Sequence, residues 1–505
     1  MGAFAVHAAV LRGTEAIPVT VEVDLGGGIP GMTVVGMPDS AVLEARTRIR
    51  CALRSCGFEN PRLHATVNLA PSDVRKSGTG LDLPIAVGML VATGQVSPRG
   101  LDGCLFVGEL GLSGDCCGVR GAMAYALLAR DLGLSLVSAP KLAREAASAR
   151  VEGCACLGLP SLSVLRKGVD ALDEAVAAPD DVGVAAASLD YADVVDQEAA
   201  KRALVVVAAG PHGMLMMGPP GAGKTMLARR LPTILPRLGE DERLEAMLVH
   251  SVSGVSVEEV AAGIRPFRAP HHSVSRAGLV GGGRPVTPGE ASLAHRGVLF
   301  LDELPEFAPS VLQALRQPIE DGEVSVVRVE GTYRFPCAFQ LVAAANPCPC
   351  GHAGDRGHPC RCTPQEIARY QGRIGGALLD RIDVFVDVTR PQAGRVIEGA
   401  GGTSSAEMRE QVLAGREFAS WRSARAEAAG AARGVASGTL TPDAALMLER
   451  MAERLSLGGR AIARTARVAR TIADLKESEL VGPAEVAEAC SYRSRLGGGE
   501  GSADA

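Results

Sequence analysis

The residues with the clearest chemistry form a glycine-rich segment, "GPPGAGKT", that fits the pattern G-x-x-x-x-G-K-[ST]. The apolar run Met214–Met217 precedes it, and a helical sequence follows. Glycines let consecutive N–H groups turn towards phosphate oxygens, and the start of a helix adds positive charge. We expect Lys224 to reach the β- and γ-phosphates of ATP, and Thr225 to bind Mg²⁺. The predicted nucleotide-binding residues are Gly218, Pro219, Pro220, Gly221, Ala222, Gly223, Lys224 and Thr225.

Two adjacent carboxylates follow a second apolar run, in "GVLFLDELPEF". Acidic side chains at the end of a buried strand are costly unless a cation or water uses them. We therefore expect Asp302 to orient the waters of the Mg²⁺ ion and Glu303 to polarise the attacking water. The alternative is a solvated acidic turn.

Asn346 stands at the end of a third apolar run, "LVAAA". The carboxyl ends of parallel strands line the ligand crevice of an α/β sheet. The sequence therefore predicts that Asn346 positions the hydrolytic water between Glu303 and the γ-phosphate.

Arginines later in the chain are candidates for stabilising the charge of the transition state. In "GGALLDRIDVFVDV", Arg381 follows an apolar helix end, and a neighbouring subunit could supply it to the nucleotide. A local ion pair with Asp380 or Asp383 is the alternative. Further along, "GRAIARTARVAR" spaces arginines by three and four residues, and we expect one of them to sense the γ-phosphate. The others form a solvated or DNA-facing stripe.

Four cysteines lie directly after Asn346, in "NPCPCGHAGDRGHPCRC". Their number suits a tetrahedral, structural zinc site, although the Cys-x-Cys spacing is tighter than the common two-residue gap. Reduced structural thiols and a redox switch are the alternatives, and His352 or His358 can replace one cysteine. The candidate zinc ligands are Cys348, Cys350, Cys360 and Cys362.

Composition limits how the chain can contact nucleic acid. The net charge of −5 excludes a basic coat, and aromatic residues at 3% disfavour a base-stacking platform. Two basic segments, 263–285 and a predicted β-hairpin at 321–336, suit sequence-independent contact with the DNA backbone; solvated loops are the alternative. The predicted DNA contacts are Arg265, Arg268, Arg276, Arg284, Arg328 and Arg334.

The first basic segment also contains His271 and His272. A metal site at this pair is disfavoured because no acid or cysteine lies near them in the sequence.

The elements that must position these residues alternate between strand-like and helical patterns. The 505 residues are long enough for several domains, and their thirteen cysteines are too dilute for a disulfide scaffold.

The N-terminus lacks the pattern of a signal peptide, and no run is long enough to span a membrane. We therefore expect a cytoplasmic protein with no membrane contact. The predicted divisions are an α/β domain at 1–170, a linker at 171–191, a nucleotide-binding core at 192–395, a linker and helix at 396–440, helices at 441–495 and a disordered tail at 496–505.

These motifs together resemble the AAA+ ATPases, and most closely the magnesium-chelatase-like ComM/YifB family. The resemblance rests on "DVVDQEAAKRAL", "GPPGAGKT", "RPFRAPHHSVS", "PGEASLAHRGVLFLDELPEF", "NPCPCG", "CRCTPQEIARYQGRIGGALLDRID" and "RVARTIADL". It implies a central P-loop αβα sandwich, a C-terminal helical lid and a hexameric ring with ATP at the subunit interfaces. It also implies that Arg381 is the arginine finger and Arg460 is sensor 2. The pair Gly458-Gly459 departs from the small-residue pair, such as Ser-Ala, usual before that last arginine.

The N-terminal domain resembles the Lon-protease fold. The register of "GELGLSGDCCGVRGAMAYALLARDLGL" places Met123 where Lon carries its catalytic lysine, and Asp82 falls near the serine position. A Ser–Lys dyad needs both groups. We therefore predict an α/β domain without peptidase activity, which forms the ring or guides DNA.

The resemblance also implies a function. We expect an ATP-driven hexameric DNA motor, a branch-migration helicase acting in natural transformation or recombination on branched or single-stranded DNA. A chelatase- or chaperone-type ATPase that remodels a protein partner is the first alternative, and a nucleotide-gated scaffold without turnover is the second.

Overall fold

The computed structural model describes residues 4–177, 189–328, 331–355, 357–399, 401–428 and 439–493. The predicted disordered tail at 496–505 lies outside these residues, as do most of the predicted linker at 171–191 and part of that at 396–440. The described chain is a mixed α/β protein with a parallel-sheet core and a helical C-terminal region, as predicted. Among its helices, none has both the length and the apolar character needed to cross a membrane.

The N-terminal unit is a mixed sheet flanked by helices. Alternating apolar residues on β2, Val19, Val21 and Val23, are buried, as expected for a strand with one face on a core. The strand order is β10-β9-β8-β5-β1-β2-β4-β3, with β6 and β7 forming a separate pair. Its strands are β1 (Phe4–Arg12), β2 (Glu15–Gly26), β3 (Gly31–Val35), β4 (His64–Ala70), β5 (Cys104–Phe106), β6 (Glu109–Leu110), β7 (Cys116–Cys117), β8 (Ser135–Ser138), β9 (Cys156–Gly158) and β10 (Asp173–Glu174). Its helices are α1 (Ser40–Ser55), α2 (Asp82–Ala92), α3 (Ala122–Leu132) and α4 (Pro140–Ala147).

The central unit contains a five-stranded parallel sheet with the order β12-β13-β16-β11-β17, and a hairpin formed by β14 and β15. Its strands are β11 (Met214–Met217), β12 (Phe267–Arg268), β13 (Val298–Leu301), β14 (Glu323–Arg328), β15 (Gly331–Pro336), β16 (Gln340–Ala345) and β17 (Val384–Asp387). Its helices are α5 (Glu198–Ala209), α6 (Lys224–Arg229), α7 (Leu231–Ile234), α8 (Glu240–Ser253), α9 (Glu258–Ala261), α10 (Arg276–Val280), α11 (Glu290–Leu293), α12 (Pro309–Ala314), α13 (Arg316–Asp321), α14 (Pro364–Gly372), α15 (Gly376–Leu379) and α16 (Ala393–Glu398).

Helices cover both faces of the parallel sheet. On β11, Met214 and Met216 face one core, which includes α5 and the C-terminal helices, whereas Leu215 faces the other, which includes α12. Burial on both faces explains why the strands are continuous apolar runs rather than alternating ones. The C-terminal helices are α17 (Ser405–Ala428), α18 (Pro442–Arg454), α19 (Gly459–Asp474) and α20 (Pro483–Ser491).

The N-terminal and central units share an apolar contact centred on α8. Met123 of α3 and Ala149 are fully buried there with Ala246 and Met247 of α8. Polar contacts reinforce it, because the Ser251 hydroxyl donates to Glu145 at 2.7 Å and accepts from the Met123 N–H at 3.2 Å.

Candidate nucleotide and metal sites

The glycine-rich loop joins the end of β11 to the start of α6, as its pattern predicts. Gly223 begins the helix with a φ of 92°, in the left-handed region that favours glycine. A Cβ atom on Gly218 would lie 2.0 Å from the Val388 carbonyl oxygen, so only glycine allows this close approach.

Lys224 lies at the centre of the site. Its ammonium group donates to the carbonyl oxygens of Gly218 and Pro219, at 2.6 and 3.1 Å, and to Asn346 Oδ1 at 3.1 Å. Burial lowers the pKa of Lys224, and the charges of Asp302 and Glu303 oppose that shift. Residues far apart in the chain thus meet at the carboxyl edge of the sheet.

Thr225 and Asp302 form an oxygen-rich pair beside this lysine. The Thr225 hydroxyl donates to Asp302 Oδ2 at 2.6 Å. Hydroxyl and carboxylate oxygens are the ligands that Mg²⁺ prefers, and Mg²⁺ normally keeps several waters. These two side chains would therefore suit the Mg²⁺ ion that accompanies a triphosphate, and their oxygen atoms would be available to hold it.

Glu303 has an unusual backbone for a non-glycine residue, with φ and ψ of 51° and 48°. Its N–H donates to Asp302 Oδ1 at 3.0 Å, and its own carboxylate is 55% exposed. Backbone strain of this kind persists only where the surrounding structure imposes it, and it clusters at functional sites. The conformation presents the carboxylate to solvent at the strand end, as its predicted role in polarising a water requires.

Arg381 lies at the opposite edge of the sheet. It precedes β17, and the N–H of Asp383, two residues further on, donates to the carbonyl of Gly213, immediately before β11. The four residues of β11 span roughly 13 Å. Arg381 contacts Glu320 of α13, whereas Asp383 lies 3.2 Å from His212 and 3.7 Å from Arg464. The sequence did not indicate the pairing with Glu320.

Further arginines surround Arg381, and we name Arg316, Arg381, Arg460 and Arg464 the arginine cluster. Burial lowers the pKa of Arg381, and the charges of Arg316, Arg464 and Arg460 lower it further. Arg460, predicted to sense the γ-phosphate, is the second residue of α19 and is exposed beside Arg381. Sequence reasoning missed Arg316, since nothing in its local pattern signals this neighbourhood.

Two of the six predicted DNA contacts are already engaged within the chain. Arg265 donates to Glu242 at 2.7 Å and to the carbonyls of Pro236 and Arg296, while Arg268 forms a two-point pair with Glu290, at 2.6 and 2.9 Å. The acidic partners Glu242 and Glu290 lie 23 and 22 residues away in sequence, so no local pattern indicated them. These two arginines hold the central unit together, which argues against their assignment as DNA contacts.

The other four predicted contacts are exposed. Arg276 and Arg284 lie on the segment around α10, and Arg328 and Arg334 lie on the predicted hairpin, which the structure contains. Gly282 brings the two elements together, because a Cβ atom there would lie 3.6 Å from Arg328 Nη2. Within the described residues, Arg334 approaches Glu323 at 3.8 Å, and the remaining three have no acidic partner.

The four cysteines after Asn346 converge. Their Sγ atoms all lie within 4.8 Å of one another, and the Cys348–Cys350 separation is 3.4 Å. N–H groups of Arg361 and His352 lower the pKa of Cys350 to about 6. Four sulfur ligands at this spacing fit a closed tetrahedral zinc site of structural type.

The cysteine loop packs directly on the nucleotide-binding loop. A Cβ atom on Gly351 would lie 2.6 Å from Pro220, and Gln371 donates to the Pro347 carbonyl at 2.9 Å. A metal that holds the cysteine loop in shape therefore also supports Pro220 and Asn346. A metal held by the four cysteines would have a structural role, because four protein ligands leave no coordination position open for a substrate or a reacting water.

His352, Asp355 and His358 form a second compact group in the same loop. Arg390 donates to His358 Nδ1 at 3.0 Å and lies 3.7 Å from Asp355. A guanidinium in contact with two of the three groups repels a cation, so we regard this group as an anchor of the loop rather than a metal site.

Zinc is expected to co-purify with the wild-type protein at about one equivalent per chain. The change Cys360→Ser should lower that content at least tenfold and weaken ATP binding, because the cysteine loop supports Pro220. Metal analysis and ATP titration measure both effects, and Cys490→Ser, a buried cysteine of α20, is the matched control. Wild-type protein with less than a tenth of an equivalent of zinc would contradict the assignment.

The N-terminal unit offers no nucleophile at its two candidate positions. Asp82 is fully buried and forms a two-point pair with Arg48, at 2.6 and 2.9 Å. Burial raises the pKa of Asp82, whereas the hydrogen bonds and charge of Arg48 lower it. Met123 is part of the contact with α8. Both residues have structural roles.

The fold and the site define a magnesium-chelatase type of AAA+ protein. Residues 190–396 match the family described as magnesium chelatase, subunit ChlI; residues 21–142 match subunit ChlI of Mg-chelatase, and residues 402–493 match the subunit ChlI C-terminal family. The family implies that the core uses ATP and Mg²⁺, which the geometry around Lys224 and Asp302 fits.

Individual relatives identify the family more narrowly, and two of them match almost the full length of the chain. The uncharacterized protein YifB of Salmonella typhimurium is 41% identical over 492 residues, covering 97% of this chain and 96% of that protein. The competence protein ComM of Haemophilus influenzae is 41% identical over 498 residues, covering 97% of both chains. The magnesium-chelatase 38 kDa subunit of Cereibacter sphaeroides is 25% identical over 222 residues, covering 40% of this chain and 59% of that subunit. This chain belongs to the ComM/YifB family of magnesium-chelatase-like proteins.

Proposed function

We propose that this chain is the subunit of a homo-hexameric ring that hydrolyses ATP and uses the energy to move DNA. The observation that carries the proposal is the division of the catalytic groups between two edges of one sheet. Lys224, Asp302 and Glu303 lie at the carboxyl edge, while Arg381 lies at the amino edge, beyond the length of β11. The Arg381 side chain is paired with Glu320 and only 6% exposed in the single chain, so we infer that assembly releases it to complete the site of a neighbouring subunit.

In the assembled site, each residue has a distinct task. Lys224 binds the β- and γ-phosphates, Thr225 and Asp302 hold the Mg²⁺ shell, and Glu303 accepts the proton of a water that Asn346 positions. Arg381 and Arg460 of the next subunit neutralise the charge that develops on the γ-phosphate. The Mg²⁺ ion supplies charge neutralisation of the phosphate oxygens.

Exposed basic side chains and a named relative support DNA as the substrate. Arg276, Arg284, Arg328 and Arg334 would form a positive surface repeated around the ring of a net-acidic protein. The relative from Haemophilus influenzae is named a competence protein, which supports a role in competence, and we propose branch migration of DNA as the action. The structural roles of Asp82 and Met123 support a chain without peptidase activity.

Remodelling of a protein partner is the competing function, favoured by the likeness to magnesium-chelatase subunits. The rate of ATP hydrolysis with and without a four-way DNA junction separates the two. A DNA motor predicts strong stimulation by the junction, whereas a protein-remodelling ATPase predicts none.

The double change Arg284→Gln/Arg328→Gln is expected to weaken junction binding. It should also make the slope of log K against the logarithm of salt concentration shallower by about one for each arginine replaced. The measurement is junction affinity across a salt series. The control is Arg62→Gln/Arg99→Gln, which removes two exposed arginines of the N-terminal unit. Equal losses of affinity for both variants would show that net charge alone matters and would contradict the proposed surface.

A further inference from the structure

His212 is a buried histidine that has no role in the proposed chemistry. It lies two residues before β11 and is 3% exposed. Its two ring nitrogens have different partners, because Nδ1 lies 3.2 Å from Asp383 Oδ2 and Nε2 lies 2.8 Å from Thr471 Oγ1. The fit is close, since a Cβ atom on Gly210 would lie 2.4 Å from Nε2. One imidazole therefore joins the turn before β11, the residue before β17 and helix α19.

The contact with Asp383 connects His212 to the segment that bears Arg381. Asp383 lies two residues after Arg381, and its N–H donates to the Gly213 carbonyl at 3.0 Å. A Cβ atom on Gly213 would lie 3.1 Å from the Arg381 carbonyl oxygen, so the two backbones pack directly against each other. Asp383 Oδ1 has no hydrogen-bond partner within the described residues, and Arg464 approaches it only to 3.7 Å. The shorter contact from His212 therefore orients this carboxylate, which is 6% exposed.

The contact with Thr471 connects the same ring to the C-terminal helices. Thr471 follows Arg460 by eleven residues on α19, which is about three helical turns, so the two side chains share one face of the helix. That face is turned towards the arginine cluster, where the charge of Arg460 acts on Arg381. The hydrogen bond between His212 and Thr471 therefore sets the position of α19 relative to the Arg381 segment.

Burial makes this link resistant to separate movement of its two ends. If α19 or the Arg381 segment moved alone, a ring nitrogen of His212 would lose its partner where water does not replace it. A buried polar group without a partner is costly, and polar networks that are fully satisfied hold their surroundings rigid. We therefore expect the two segments to move together.

We propose that His212 is a positioning residue that joins Arg381 and Arg460 into one unit, which each subunit presents to the ATP of its neighbour. This inference rests on the shared site of the proposed function. The imidazole takes no part in the chemical step, because it lies ahead of β11, at the opposite edge of the sheet from Lys224 and Asp302. The alternative is an effect within one subunit, through β11 on the phosphate loop.

Two variants break the link from opposite sides. The change His212→Asn keeps a donor near Asp383 but loses the contact with Thr471, and Thr471→Val removes the hydroxyl that forms this contact. Both variants should bind ATP as wild type does and hydrolyse it more slowly by about tenfold or more, because a misplacement of about 1 Å can cost roughly 10²-fold in rate. ATP titration and steady-state hydrolysis measure the two effects.

Thr465→Val is the matched control for Thr471→Val. Thr465 is fully buried on the same helix, but its hydroxyl donates to the Ala461 carbonyl of that helix, at 2.9 Å. This variant should keep the wild-type rate of hydrolysis.

Mixed rings show on which side of the subunit interface the defect lies. His212→Asn subunits assembled with Lys224→Ala subunits should regain hydrolysis, because the second kind supplies a correctly placed Arg381 to the ATP of the first. Assembly with Arg381→Ala subunits should restore nothing, since no subunit in that ring then delivers a correctly placed arginine.

The inference is wrong if His212→Asn and Thr471→Val hydrolyse ATP at the wild-type rate, or if Thr465→Val loses as much activity as Thr471→Val. It is also wrong if neither kind of mixed ring regains hydrolysis. Recovery with Arg381→Ala subunits instead of Lys224→Ala subunits would place the defect in the phosphate loop of the same subunit and contradict it as well. If Arg381→Ala and Lys224→Ala subunits do not restore each other, the shared site itself fails, and the proposed function fails with it.

Discussion

Replacing Arg381 with alanine is expected to leave ATP binding intact and to lower ATP hydrolysis by about 10³-fold or more. The side chain lies beyond the length of β11 from the phosphate loop of its own subunit, so its removal does not disturb binding there. Turnover falls because the charge of the transition state loses its arginine. ATP titration and steady-state hydrolysis of the assembled ring measure the two effects.

A mixing experiment decides whether Arg381 acts between subunits. Rings of Arg381→Ala and Lys224→Ala subunits are each inactive, but mixed rings contain interfaces where an intact Lys224 faces an intact Arg381. Hydrolysis should return in the mixture only if the site is shared. Glu320→Gln is the control, since it removes the partner of Arg381 within the subunit and should preserve turnover. If Glu320→Gln is as inactive as Arg381→Ala, the ion pair between Glu320 and Arg381 has a structural role, and the assignment of Arg381 to a neighbouring site is contradicted.

The change Lys224→Ala should weaken ATP binding by about 2–5 kcal/mol, which corresponds to roughly 30-fold or more in Kd. The ammonium group is partly buried among carbonyl oxygens and Asn346, so its charge is poorly screened where a phosphate must bind. Titration with a fluorescent ATP analogue measures the loss.

Asn346→Ala serves as the comparison for this lysine. It removes the side chain that accepts from Lys224 but not the charge, so ATP should still bind while hydrolysis falls. If Lys224→Ala binds ATP as tightly as wild type, the phosphate-binding assignment is wrong.

The convergence of the candidate nucleotide-binding residues could be predicted from the sequence because its signals are local. The pattern around Lys224, the apolar run before Asp302 and the apolar run before Asn346 each combine a strand with the polar residue at its end. Strands that share one parallel sheet bring those ends together, and the structure confirms the convergence of Lys224 with Asn346 and of Thr225 with Asp302.

The rest depends on partners that no local pattern specifies. Arg265 and Arg268 look like surface cations in the sequence, but Glu242 and Glu290 fold back onto them. The contacts of His212 with Asp383 and Thr471 and the neighbourhood of Arg381 arise in the same way, from the packing of helices on the sheet. Such pairings are fixed by tertiary geometry, which sequence periodicity does not contain.

Helix α8 has a consequence for any attempt to divide the protein. One side packs with Met123 and Ala149 of the N-terminal unit, and Glu242 and Glu245 on the same helix bind Arg265, His295 and Arg296 beside β12 and β13. Removal of the N-terminal unit would expose Ala246 and Met247 to water. It would also weaken the packing of α8 beside β13, the strand that ends next to Asp302. We therefore expect the central unit to be less stable when the N-terminal unit is removed.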